Sequence, residues 1–347
     1  MRAAVLERFG SPDGYTVRDW PEPVPGPGEA LVRVRAVCVN RTDVHVIERT
    51  NIGRFAEVPH IGGLDPAGVV VGLGDGASDL AIGDRVVARP MIPDLECRFC
   101  RAGKEAGCER PRYIGVHRPG GFGELVALPA RALFRIPDGI DETVASAAAH
   151  SIPVVLHLVE VVGQVTADDS VLVVGAAGGL GSATVQLARS LGARVIAAGA
   201  SDERLAAALE LGADAGVRSD DPSGFAERVR ALTDGRGVTV AVDNAGDPVL
   251  WPEIVGALDR GGRILTCGAH AGGRVTLDLS LFYRLQLRLL TASGSSADEF
   301  RRAMALVATG AIRPLIAGIR PIADIRGAFG DLLARRNLGK LVLRFDG

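Results

Sequence analysis

Aromatic residues make up only 4% of the 347 positions, so no stacking platform for a planar substrate can be named in this chain. An excess of one charge is missing too. Lys and Arg number 39 against 41 Asp and Glu, a formal −2, and the two signs are interspersed. Without a basic stripe suited to a phosphate backbone, nucleic acid is not an expected partner. No apolar run reaches the length that spans a bilayer, the stretch 171–175 being far too short, so a membrane is not expected either. The opening MRAAVLERFG lacks the basic-then-apolar layout of a secretion signal and alternates like an edge strand. Cysteine is scarce: Cys38, Cys97, Cys100, Cys108 and Cys267. Three of these fall within twelve positions, which is metal spacing more than disulfide spacing. The expected location is cytoplasmic.

Against those absences, the chain is 47% hydrophobic and 23% charged, with 45 Gly and 19 Pro, the make-up of a folded, loop-rich α/β protein. Its length exceeds one ordinary core and predicts two domains. Residues 30–38 (ALVRVRAVC), 68–72 (GVVVG) and 84–88 (DRVVA) read as strands separated by Pro and Gly, a small curved β domain. From residue 170 the rhythm changes. Strands at 171–174, 194–198, 214–217, 238–242 and 262–267 alternate with helices at 181–191, 201–211, 223–233 and 248–257. That alternation specifies a doubly wound parallel sheet with helices on both faces. A last apolar strand at 285–293 leads to a tail of helix 297–309, extended 316–321, helix 325–335 and strand 340–345.

Residues 171–181 read VLVVGAAGGLG, a strand running through a glycine turn into a helix. A dinucleotide fingerprint needs small residues for the tight turn, for close diphosphate approach and for helix–strand packing. Ala176, Gly178 and Gly181 fit that spacing, with Gly179 and Leu180 between them, so backbone N–H groups would face a diphosphate. The second strand ends Ala198-Gly199-Ala200, without the carboxylate that accepts from the ribose 2′-OH of NAD. Ser201 and Arg204 follow, a hydroxyl and a guanidinium placed to meet a 2′-phosphate, so NADPH is the expected cofactor. Other readings stand beside this one: Ser201 caps the helix, Arg204 is solvated, and Asp202 either helps the cap or repels the phosphate. Asn244, Gly268 and Ser293 lie at strand ends, where cofactor sites gather.

Together with 63–70 (GLDPAGVV), 120–124 (GGFGE), 211–213 (LGA), 261–268 (GGRILTCG) and 339–343 (GKLVL), these residues resemble the medium-chain dehydrogenase/reductase superfamily over essentially the whole chain. The match is to its quinone oxidoreductase branch and to zinc-type alcohol dehydrogenase-like proteins. The resemblance implies a GroES-like β-rich catalytic domain of residues 1–150 and 294–347. A Rossmann NADP-binding domain of residues 151–293 is then inserted in it, with a homodimer formed through strand 285–293. It also implies where a catalytic zinc would sit: a Cys ahead of a Thr/Ser-Asp pair, a His in a Gly-His-Glu segment, and a residue just before the Rossmann domain. Asn40, Leu64 and His150 fall there, and one usable donor of three does not hold zinc; a rearranged site of Asp65, His150 and His45 is the alternative. Arg41 falls where the family pairs the cofactor diphosphate, and Thr42 and His45 fall where a proton is relayed. Asn40, Thr42, His45 and His150 are thus the catalytic candidates. Plainer roles compete: Thr42 and Asp43 as helix caps, His45 on the surface, His150 bonded to backbone, and Cys38 in the core.

Asp94, Cys97, Cys100 and Cys108 fall at the family's structural zinc lobe, with Asp94 in the place of the first of four Cys. A carboxylate is an acceptable ligand, so a structural Zn site and a metal-free lobe of reduced thiols both remain open. His60, His117, His157 and His270 lack partners at ligand spacing and read as structural, as does Cys267. The expected activity is hydride transfer from NADPH to a small-molecule quinone or α,β-unsaturated carbonyl, with Asn40, Thr42 and backbone N–H groups meeting the oxyanion. Alternatives are a carbonyl or iminium reductase, an alcohol dehydrogenase-like tailoring enzyme, or a non-enzymatic NADPH-binding crystallin-like or sensor protein.

Overall fold

The structure is a computed structural model that describes residues 1–77 and 79–345. The chain divides into two compact units, Met1–His150 with Ser296–Gly310 and Ile316–Gly347, and Ser151–Ser295 with Ala311–Leu315. Relative to the division expected from sequence, the short segment Ala311–Leu315 goes with the second unit.

The first unit is organised by its longest strand, Glu29–Val39, whose apolar residues alternate until they become continuous at Val37–Val39. It lies inside a seven-stranded sheet ordered Ile316–Pro321, Lys340–Arg344, Glu29–Val39, Ala67–Leu73, Arg85–Ala88, Leu133–Arg135, with Leu125–Pro129 also pairing on the long strand. The close approach of Ala67–Leu73 demands Gly68, where a Cβ would sit 2.0 Å from the Arg33 carbonyl oxygen. Four of the five residues of the N-terminal strand Arg2–Leu6 are buried, so the expected alternation is absent; the strand packs both faces into the core. The few aromatics are gathered here: Tyr15 stacks on Phe329 at 5.4 Å and meets Phe122 edge-on at 6.0 Å.

Helix Glu142–Ala149 starts at Asp141, whose side chain accepts from the Val144 N–H at 2.8 Å. Helical structure then continues to Val162, a run of 21 residues with mean hydropathy 1.5. By length and composition that run passes for a membrane span, contrary to the sequence expectation. It is 72% buried inside the protein, the position of a core helix.

The second unit holds six parallel strands ordered Ala215–Arg218, Arg194–Gly199, Ser170–Val174, Val238–Val242, Leu258–Thr266, Arg288–Thr291. Strand order reverses between Ser170–Val174 and Val238–Val242, the switch point at which α/β sheets bind ligands. The expected strand at 285–293 shrinks to Arg288–Thr291. Leu285 instead ends a helix, Leu279–Leu285, which Asp278 caps at the Leu281 N–H and Gln286 terminates in the left-handed region at φ 58°. The expected helix at 248–257 begins only at Trp251, because the Asp247 carboxylate holds the Val249 N–H in a turn.

Candidate active site

Asn40 sits where strand Glu29–Val39 ends and helix Arg41–Glu48 begins, and it is 4% exposed. Its side-chain amide donates to Asp65 Oδ2 at 3.0 Å and to the Cys38 carbonyl at 3.4 Å, while its Oδ1 accepts from the Lys340 ammonium. Asp65 is fully buried; its Oδ1 takes the Cys38 N–H at 3.1 Å and its carbonyl takes the Ser146 hydroxyl at 2.9 Å. Asp43, also fully buried, receives the Asn40 N–H at 2.8 Å and the Gly63 N–H at 3.1 Å. Leu64 is wholly buried beside them. Burial raises the Asp43 carboxyl to about 8, helped by Asp65, and raises Asp65 to about 6 against the pull of Lys340 and Asn40. Burial also raises the Cys38 thiol, which packs with Ala36, Ala147 and Val342 as core.

This geometry does not suit a catalytic zinc. Leu64 has no donor atom, and both ends of the Asn40 amide are committed to neighbours. The same commitment takes the Asn40 N–H groups away from the oxyanion role expected of them. Thr42 is half-buried in the first turn of the helix. His45 lies one turn further, half-buried, its Nδ1 2.8 Å from Thr50 Oγ1, and burial lowers its pKa. His150 ends helix Glu142–Ala149 one turn beyond Ser146, on the side that meets Asp65. Arg41 donates to the Leu332 carbonyl at 2.9 Å. Asp65, Ser146 and Lys340 are the members that sequence reasoning did not assemble. Asp65 had been weighed only as a metal ligand, and Lys340 had stood in the GKLVL segment as a mark of resemblance.

In the second unit, the tight turn of the glycine loop belongs to Gly175, at φ 67°, and not to Ala176, which is buried. Gly178 caps helix Gly179–Ser190, and Gly179 and Leu180 form its first turn. At Gly181 a Cβ would lie 2.2 Å from the Gly175 carbonyl oxygen, so that glycine serves helix–strand packing. Ser201 caps the next helix by accepting from the Arg204 N–H at 3.3 Å. Asp202 is paired with Arg218 at 2.8 Å, and the same guanidinium holds Asp220 at 2.7 Å. Asn244 ties two strand ends together by accepting from the Cys267 N–H at 2.8 Å; Gly268 follows it, and Ser293 is exposed beyond the last strand. His60 bonds the Gly115 carbonyl at 2.8 Å and His117 accepts from the Tyr113 N–H at 3.0 Å, both structural.

Asp94, Cys97, Cys100 and Cys108 place one ligand atom each within 4.8 Å of the others. That set fits one tetrahedral Zn of the structural kind. Asp94 is pre-aimed: its Oδ1 accepts from the Glu96 and Cys97 N–H groups at 2.9 Å and its Oδ2 from Arg110 at 2.9 Å. These contacts hold its pKa well below the ordinary carboxylate range, the backbone N–H of Cys97 first. Beside the lobe lies a half-open cavity of about 640 Å³ lined by Arg89, Met91, Glu105, Arg131, Phe134 and Arg301 among others; Asn40, Asp65 and Lys340 take no part in it.

Two family models match, the alcohol dehydrogenase GroES-like domain over residues 26–138 and the zinc-binding dehydrogenase over residues 179–309. An NAD-dependent alcohol dehydrogenase of Sulfolobus acidocaldarius is 28% identical over 99% of both chains. Acryloyl-coenzyme A reductase of Metallosphaera sedula is 26% identical over 99% of both. A solved structure of an NAD-dependent alcohol dehydrogenase superposes with a TM-score of 0.94 at 33% identity over 100% of both chains.

Proposed function

We propose that this chain, which belongs to the medium-chain dehydrogenase/reductase superfamily of oxidoreductases, reduces a quinone or an α,β-unsaturated carbonyl with NADPH and without a catalytic zinc. The observation that carries the reading is the committed Asn40 amide beside the donorless Leu64. Without a Lewis acid, negative charge that develops on the substrate must be met by hydrogen-bond donors. Conjugate reduction suits such a centre because its enolate spreads the charge over several atoms. The Thr42 hydroxyl and backbone N–H groups are the donors proposed here, and Thr42 with His45 the route for the final proton. His150, one helical turn beyond Ser146, is the remaining member proposed for this centre. The likeness to acryloyl-coenzyme A reductase, whose name describes reduction of a conjugated thioester, supports this class of chemistry.

The cofactor, when bound, supplies the hydride. Backbone N–H groups of Gly179, Leu180 and Gly181, at the start of helix Gly179–Ser190, would hold its diphosphate. Asn244, Gly268 and Ser293, at the strand ends, would meet its ribose or nicotinamide. Preference for NADPH over NADH rests on Ser201 and Arg204, and on the ion pair that occupies the Asp202 carboxylate with Arg218. A structural Zn held by Asp94, Cys97, Cys100 and Cys108 would order that lobe and take no part in the reaction.

A second reading has its own support. The likeness to NAD-dependent alcohol dehydrogenases supports oxidation of an alcohol on the same scaffold. One experiment separates the two. Purified protein is assayed with NADPH and NADH against enones, quinones and aldehydes, with metal content measured in parallel. Chelator-insensitive oxidation of NADPH by enones or quinones, with at most one zinc per chain, is expected. Turnover confined to alcohols or aldehydes and abolished by chelator, or two zinc ions per chain, would overturn the proposal.

A further inference from the structure

Strand Lys340–Arg344 runs antiparallel to Glu29–Val39 in a register that sets Leu341 opposite Val39. One step further along, Lys340 meets the level of Asn40, where the long strand gives way to a helix. Sheet register, not local sequence, thus delivers an ammonium to the buried carboxamide of the centre. Lys340 is 7% exposed, Asn40 4% and Asp65 0%, so these groups interact with water largely shut out.

The chemistry of the three groups allows one arrangement only. An ammonium donates and does not accept, so Asn40 must turn its oxygen toward Lys340; an ionised carboxylate accepts and does not donate, so the amide nitrogen must face Asp65. The structure has this orientation, Lys340 Nζ on Oδ1 and the amide nitrogen 3.0 Å from Asp65 Oδ2. An amide between two neutral partners has two nearly isosteric flips; between a cation and an anion it has one.

We propose that Lys340 is the positioning residue of this centre: through Asn40 it holds a buried cation–amide–anion file, Lys340–Asn40–Asp65, in the space where zinc-holding relatives keep their metal. The inference rests on the zinc-free reading above. The file anchors the start of helix Arg41–Glu48, because Asp65 also bonds the Cys38 N–H at 3.1 Å and Asp43 bonds the Asn40 N–H at 2.8 Å. Thr42, two residues on, inherits its placement from that anchor. The ammonium also leaves a positive charge in the part of the molecule where the reaction builds a negative one.

The test combines a spectroscopic readout with a double-mutant cycle. In the wild-type protein the Asn40 side-chain NH2 protons give two well-separated signals protected from solvent exchange. Lys340→Arg keeps them, and Lys340→Gln brings them to rapid exchange. On whichever substrate the panel above identifies, Lys340→Gln and Asn40→Ala each lower kcat/KM by about 10–100-fold, the range of a charge-assisted hydrogen bond. The double variant is then no worse than the weaker single one, and Lys340→Arg recovers most of the loss. Unprotected Asn40 protons in the wild-type protein overturn the proposal even if Lys340→Gln fails to fold. Losses that multiply in the double variant, or protection unchanged in Lys340→Gln, overturn it too. A chelator-sensitive alcohol dehydrogenase with protected Asn40 protons and a non-additive cycle refutes the substrate reading and leaves the role of Lys340 standing.

Discussion

Asp43 illustrates how burial acts on a single residue. It stands in the first turn of a helix, an ordinary place for a carboxylate, and it receives two backbone N–H groups that favour its charged form. Burial outweighs them and lifts the group to about 8, with the neighbouring Asp65 adding to the rise. A carboxyl raised on folding holds a proton that the unfolded chain has released. Its contribution to stability is complete below the unfolded value and is lost as pH climbs through the folded one. Asp43→Asn forfeits one hydrogen bond, a cost of about 1–3 kcal/mol. The gap in Tm between wild type and Asp43→Asn is therefore expected to be widest below about pH 4, to shrink steadily above it and to level off near pH 9, read by thermal melts across that range. A gap that widens with pH would mean that Asp43 is ionised in the folded protein. Asp65, lifted to about 6, adds the same sign over a lower window.

At the scale of elements, the cysteine lobe shows how a short segment is made ready for a metal. Cys97 caps the four-residue helix Arg98–Arg101, and Asp94 crosses back over its start through the Glu96 and Cys97 N–H groups. Apolar packing is thin: Leu95 is exposed, and Arg98 pairs with Glu109 largely in solvent, where an ion pair contributes about 0–1 kcal/mol. A lobe with so little core depends on ligation for its order. One zinc per chain is expected in the wild type and none in Cys100→Ser, with rapid tryptic cleavage at Arg98, Arg101 or Lys104 appearing in the variant. Equal protease resistance of the two proteins would show that the lobe stands without metal.

At the scale of the whole molecule, the parallel sheet of the second unit ends in the open edge strand Arg288–Thr291, with Leu289 42% exposed. Tyr283 and Leu279 on the preceding helix are exposed as well, 76% and 68%. Open apolar edges invite pairing. We expect a homodimer of twice 36.1 kDa by light scattering, and a monomer for Leu289→Lys, which sets a charge on each side of the two-fold contact. A monomeric wild type would remove the edge strand from consideration as an interface.

Local order was legible from residue patterns. The strand Val238–Val242 and the extended segment Ile316–Pro321 fall at the bounds that apolar runs and flanking turns predict. The glycine turn was found by its spacing, although its tight bend proved to be Gly175, because only backbone dihedrals distinguish adjacent small residues. The helix Leu279–Leu285 was missed because LSLFYRL, read as a string, is as apolar as a strand. That residues 40 and 64 are neither Cys nor His was equally plain from the string.

What composition and spacing determined alone was the two-part α/β architecture, the dinucleotide turn and the cluster Cys97, Cys100 and Cys108; only the resemblance to the dehydrogenase family singled out Asp94 and residues 40 and 64. The turn and the cysteine cluster depend on residues close together in the chain, and the architecture on periodicity within short segments. The Lys340–Asn40–Asp65 file was decided by tertiary structure. Its ends lie 300 residues apart in one contact and 25 in the other, and antiparallel register together with shared burial brings them into hydrogen-bond range. Burial also sets the proton affinities of Asp43 and Asp65, since a carboxylate's charge is costly only where the fold has removed the water around it.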